Sequence, residues 1–152
     1  MTRHVFDGPD SLLSSVGLTL GPSAERTLDQ AAVDRFADLT DDRQWIHVDP
    51  ERAAGGPFGR TVVHGFFTLA LCSSILDELE QTVGFAHALN YGLEKVRFPA
   101  ALPVGAPLVG TVTLADAQAR PDGMQAVWRI EMGEPGAPKP ACVAEMVSRY
   151  VL

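Results

Sequence analysis

The sequence predicts an α+β domain in which one antiparallel sheet wraps around a single long central helix. Three observations predict it. From His64 to about Thr82 the chain holds no proline and, after Gly65, no glycine, so a long helix is free to form. After that stretch the chain carries only strand signals, separated by glycine and proline turns. Its 152 residues suffice for one hydrophobic core, read as one domain over residues 1–152.

Taken in order, Pro9, Asp10 and Ser11 start a short helix that runs through Ser15 and closes at Gly17. Residues 23–28 read as polar and extended. Asp29 is an N-cap for a helix from Gln30 to Leu39, in which Val33, Phe36 and Ala37 recur at helical spacing and mark a buried face. Asp41 and Asp42 then open a loop. Pro50 starts a helical turn that Gly55, Gly56 and Pro57 break. In the long helix, residues 66–72 are apolar on nearly every side, which predicts burial all round. Residues 75–80 turn amphipathic and should emerge toward solvent. The whole helix would be roughly 27 Å long. Strands are expected over residues 86–98, 108–119, 125–132 and 141–151. Turns fall at Pro103 to Gly105, Pro121 to Gly123 and Pro135 to Pro138. A helix wrapped by a sheet in this way is a hot-dog arrangement. Small chains of that kind pair, and the long strand 86–98 offers an edge for joining two sheets, so a homodimer or larger homo-oligomer is expected.

Hydrophobic residues make up 46% of the chain and charged residues 20%, a globular composition. The formal net charge is -7 and no run of basic residues occurs, which argues against nucleic-acid binding. Isolated basic groups still suffice to hold phosphates on an acidic protein. Cys72 and Cys142 lie in apolar or strand-like runs without metal-binding spacing, and read as structural thiols in a reducing compartment. Residues 1–7 form no apolar signal core, and the longest apolar run is far too short to span a bilayer. A cytoplasmic protein without membrane attachment is expected.

Two clusters carry chemistry. Asp42 and His47 stand five residues apart in and after a loop, close enough to share a water about 3 Å from each. An imidazole near its ordinary pKa of about 6.5 accepts a proton at neutral pH. The other reading makes Asp42 a turn cap and His47 a core histidine. In the second cluster, His64 and Gly65 open the long helix. Unpaired N–H groups at a helix start, approached over a residue without a Cβ, form an oxyanion site for a carbonyl. Close packing of helix on sheet explains Gly65 equally well. A metal site from His47, Asp49 and His64 lacks helical spacing or a cysteine partner, and none is expected.

The stretch Phe36 to Pro50, which contains Asp42, Trp45, His47 and Asp49, resembles the hydratase motif of the MaoC-like dehydratases, the R-specific enoyl-CoA hydratases. Phe58 and Gly59, then His64, Gly65 and Phe66, follow at matching distance. The runs Asn90 to Pro99 and Pro140 to Glu145 resemble the branch that includes nodulation protein N. The resemblance implies a single hot-dog domain and no cofactor. The implied reaction is reversible hydration of a trans-2-enoyl-CoA to the (R)-3-hydroxyacyl-CoA. Asp42 and His47 match the catalytic pair and Gly65 the backbone donor to the thioester oxygen. His64 matches a recurrent histidine of the helix start, read as structural support, and with Gln44, Phe66, Asn90, Tyr91 and Arg97 it is among the side chains expected near substrate. Phe67 and Leu69 are further candidates for the acyl chain, and Arg60, Lys95, Arg97 and Lys139 for coenzyme A phosphates. Two positions depart from the pattern: Asp41 replaces a glycine and Gln44 an asparagine. The first adds a carboxylate beside Asp42, and the second keeps an amide on a longer arm. Rival readings are a hot-dog acyl-CoA thioesterase and a non-catalytic acyl-thioester-binding subunit.

Overall fold

The computed structural model describes residues 3–152. Met1 and Thr2, at the head of the segment read for a signal core, lie outside it. The chain opens with strand β1 (His4–Asp7) and helix α1 (Gly8–Ser14), followed by the short strands β2 (Thr19–Leu20) and β3 (Arg26–Thr27). Three helices precede the central one: α2 (Gln30–Thr40), α3 (Trp45–Val48) and α4 (Pro50–Ala54). Asp29 caps α2 as expected, its carboxylate accepting the Ala32 N–H at 2.8 Å. Asp49 caps α4 in the same way through Arg52 N–H at 3.0 Å.

The long helix forms in two pieces, α5 (Gly65–Ala70) and α6 (Cys72–Leu79), joined by Leu71, whose backbone stays right-handed helical. It ends at Leu79 rather than Thr82. Glu80 is extended, and β4 (Glu80–Val83) pairs in parallel with β1, so a strand partner distant in sequence claims these residues. Thr82 and Val83 are β-branched and suit that outcome. The second half is amphipathic as expected, with Asp77 exposed, but the first half is not buried on every side. Ile75, Leu76 and Leu79 in the second half are buried, whereas Phe66 in the first half is 69% exposed. The cause is position. α6 packs over β6 and α5 over β8, on opposite sides of the central strand β7, and α5 leaves the Phe66 face uncovered.

The four long strands are β5 (His87–Arg97), β6 (Pro107–Arg120), β7 (Gly123–Gly133) and β8 (Cys142–Val151). With β2 they form an antiparallel sheet in the order β2-β6-β7-β8-β5, and β3 adds a further pairing to β6. Inward side chains alternate along β6, where Leu108, Val112 and Leu114 are buried, before a bulge between Leu114 and Asp116 shifts the register. They pack with Trp128, Ile130, Met132, Ala144 and Met146 against the helix. Phe6 of β1 seals one end, its ring 5.5 Å from that of Trp128, whose indole N–H reaches the Tyr150 hydroxyl at 3.0 Å. The fold is the hot-dog arrangement: an antiparallel sheet curled around a central helix.

Candidate active site

The candidate residues come together where α2 ends, α3 turns and α5 begins. α2 closes at Asp41, which adopts a left-handed conformation with φ 60. A glycine enters that region freely, and aspartate is among the few other residues that tolerate it. The departure at Asp41 therefore meets a backbone requirement. Its carboxylate pairs with Arg43, which also reaches Asp38. The left-handed turn reverses the chain and presents the exposed Asp42, after which Gln44 leads into α3.

His47, on α3, is 7% exposed. Its Nδ1 lies 2.6 Å from the carbonyl oxygen of Val62. A carbonyl only accepts, so Nδ1 carries the hydrogen and Nε2 keeps the free lone pair. Burial holds the His47 pKa below its usual 6.5. The neighbouring His64 adds to that, while the bond to Val62 and the Asp42 charge oppose it. His47 is thus a neutral imidazole at physiological pH. His64, 1% exposed, stacks on it with ring centroids 3.8 Å apart and planes inclined by 23°. The Nε2–H of His64 donates to the backbone carbonyl of Asp42 at 2.9 Å, and its Nδ1 has no partner. A carboxylate oxygen of Asp42 and one ring nitrogen of each histidine lie within 4.8 Å of one another.

Gly65 follows His64 directly and begins α5. A Cβ there would meet the Phe98 ring at 2.9 Å, so the backbone reaches its neighbour only because the side chain is absent. Gly65 also lines an apolar cavity of about 370 Å³ with Ile46, Phe58, Val63, Phe98 and Leu102. An acidic oxygen, a neutral imidazole and a helix start are together suited to moving a proton at a small polarised group. A cation fits less well. It needs about 2.0–2.1 Å to each nitrogen within both ring planes, and no point satisfies both when the rings face each other at 3.8 Å.

The remaining expected residues lie elsewhere in the single chain. Asn90 donates to the Ser73 hydroxyl at 2.9 Å. With Leu69, Ala70, Leu93 and Met146 they line a second cavity of about 280 Å³ between helix and β5. Tyr91 is 66% exposed, with the Arg149 guanidinium 5.5 Å from its ring centre. Phe66 approaches Phe98 at 6.1 Å, and Phe67 stacks on Phe36 at 4.6 Å. Lys95 and Arg97 share a cavity of about 240 Å³ with Arg129 and Glu145. Asp49 serves only as the α4 cap.

Two contributors escaped sequence reading. Gln30 donates to the His47 carbonyl at 2.7 Å and accepts from Thr61 at 2.7 Å, tying α2, α3 and the strand-like segment before α5 together. Val62 contributes only a backbone carbonyl, which carries no side-chain signal.

Comparison with known proteins shows the family and the fold. Residues 12–128 match the family model described as the MaoC like domain. The chain is 46% identical over 149 residues to 3-hydroxyacyl-thioester dehydratase Z of Mycobacterium tuberculosis, covering 97% of this chain and 99% of that protein. It is 45% identical over 113 residues to nodulation protein N of Rhizobium leguminosarum bv. viciae, covering 70% and 68%. Among solved structures, the (R)-hydratase from A. caviae involved in PHA biosynthesis superimposes with a TM-score of 0.70 at 25% identity, covering 88% of this chain and 95% of that one. A domain match over most of the length, a near full-length relative and the shared fold lead to one conclusion: this chain belongs to the MaoC-like dehydratase family.

Proposed function

We propose that this protein interconverts trans-2-enoyl and (R)-3-hydroxyacyl thioesters by reversible addition of water, with coenzyme A as the thiol carrier. The observation that carries the reading is the tautomer of His47. Its Nδ1–H is committed to Val62, which leaves the free lone pair on Nε2, and one ring nitrogen of His47 lies within 4.8 Å of an Asp42 carboxylate oxygen. In hydration, Asp42 and His47 hold one water at the β-carbon. The water oxygen forms the new C–O bond as the pair accepts its proton. The C=C π electrons shift through the α-carbon to the thioester oxygen, which the Gly65 N–H holds. The proton then passes from the pair to the α-carbon, and the enolate collapses to the saturated thioester. Dehydration runs the same steps backward.

The cavity beside Gly65 is placed to receive the apolar part of the substrate, and Lys95 and Arg97 to meet coenzyme A phosphates. We further propose one domain throughout, a cytoplasmic location and a homodimer. Among the described residues no helix is long and apolar enough to cross a membrane. The edge strand β5 exposes Leu89, Tyr91 and Leu93, and Phe66 is uncovered beside Phe98 just past its end, apolar surface that a second copy would bury.

The test follows loss of enoyl absorbance with crotonyl-CoA, with chiral analysis of the product. Asp42→Asn and His47→Gln should each lose about 10²–10⁴-fold in rate. Folded variants that hydrate at the normal rate would refute the assignment. Release of free thiol from a saturated acyl-CoA would point to hydrolysis instead.

A further inference from the structure

His64 does more than begin the helix. Its ring sits inside a column of four. Phe67 of α5 stacks on Phe36 of α2 at 4.6 Å, Phe36 meets His64 at 5.0 Å, and His64 stacks on His47 at 3.8 Å. The column is almost edge-locked, since the opposite side of His64 is spent on the Asp42 carbonyl at 2.9 Å. One side chain therefore touches both partners of the dyad, and the next residue in sequence is Gly65.

The choice of histidine has a chemical reason. The place needs a flat ring that stacks and an edge N–H that donates. Phenylalanine offers only the first, and an amide only the second. Histidine offers both at the cost of a second nitrogen. That nitrogen, Nδ1, is buried without a partner, an expense that native structures seldom tolerate without a role for the residue.

We infer that His64 is a positioning residue of the reaction proposed above: it pins the Asp42 backbone through its Nε2–H and sets the plane of His47 by stacking, so that carboxylate and imidazole lone pair converge on one water. The inference rests on the hydration reading, and it replaces direct substrate contact as the role of His64. The titratable groups acting on His47 are Asp42 and His64 alone, and its remaining polar neighbours, the Val62 carbonyl and Gln30 amide, are uncharged.

Two variants separate the two functions of the ring. His64→Phe keeps the stack and loses the donor, and His64→Gln keeps a donor and loses the stack. Both should lower kcat by about 10–100-fold, as loss of an orienting partner does at other sites, with KM changed by less than about threefold. In both, the acid limb of kcat/KM should move to higher pH, because the imidazole whose charge opposes charge on His47 is gone. Long-range ¹H–¹⁵N spectra of the intact protein should show His47 as the Nδ1–H tautomer and His64 as the Nε2–H tautomer, with His47 titrating at higher pH in His64→Phe.

A rise in KM at constant kcat would overturn the inference in favour of substrate contact. So would an unshifted pH profile, or an Nδ1–H tautomer at His64. The spectra need no turnover. If the wild type left every enoyl thioester unconsumed, the functional reading would fail while the tautomers still decided the role of His64. Should His64→Phe not fold, the wild-type spectra and His64→Gln decide alone.

Discussion

At the scale of single residues, the site depends on which imidazole nitrogen carries a hydrogen. Val62 commits the Nδ1–H of His47, burial keeps the ring neutral, and Nε2 is left as the base. The sign of the pH effect follows. His47 must be neutral to accept a proton, and burial, then His64, hold its pKa below 6.5. The rate kcat/KM should therefore hold as pH falls through 6.5 and decline only at lower pH, measured as a pH profile with crotonyl-CoA. Stability follows the same group. Its contribution is present above the unfolded value and is lost as pH falls through the lower folded one. The spacing of Asp42 and His47 was legible in the sequence, because a motif records side chains. The carbonyls of Val62 and Asp42 were not, since any residue supplies a carbonyl. Asp41 was misread in part: it looked like an added charge beside Asp42, yet the left-handed backbone accounts for the residue and Arg43 pairs its carboxylate.

At the scale of elements, the contact of helix on sheet is tight at one point. Gly110 of β6 faces Ile75 of α6, and a Cβ there would lie 2.8 Å from an Ile75 methyl carbon. Gly110→Ala should cost about 1–3 kcal/mol through overpacking, read as a lower midpoint in chemical denaturation, with the Asp42 loop undisturbed. The junction of α6 with β4 carries a buried acid. Glu80 is 8% exposed and accepts the Thr82 hydroxyl at 2.7 Å. Burial raises its pKa, against the Thr82 bond. A carboxyl with a raised folded pKa supports the fold fully below its unfolded value, and that support is lost as pH rises through the folded one. Glu80→Gln should accordingly raise Tm at pH 8 relative to wild type and give no gain near pH 4, a pair of scans that checks the sign. The long strands and α2 were predictable to within one or two residues, because alternation and capping are local signals. The end of α6 was not. Its boundary is set by β1, more than seventy residues earlier, and no local pattern around Leu79 contains that partner.

At the scale of the whole molecule, one surface remains unresolved by a single copy of the chain. β5 is exposed along nearly its whole length, and α5 leaves Phe66 open beside Phe98 just past its end. Leu93→Arg would place a charge in that apolar surface. It should shift the proposed homodimer toward monomer in analytical ultracentrifugation, with a lower Tm, because an unpaired apolar edge is poorly tolerated in water. The uncovered face of α5 belongs to this scale too. Thr68 and Cys72 are buried within the chain while Phe66 is 69% exposed, and the nearly unbroken apolar run of residues 66–72 does not tell the two faces apart.

The pairing of β1 with β4, and of β2 with β6, also bears on how the molecule is made. His4 to Asp7 have no strand partner until Glu80 to Val83 exist, and Thr19 waits for Thr113. A nascent chain leaving the ribosome therefore carries β1 unmatched until residues 80–83 emerge and β2 until residues 112–113 do. Closure of the sheet falls to β8, which joins β5 to β7. Folding should then be slow for a domain of this length, as contacts distant in sequence require, and should await synthesis of β8.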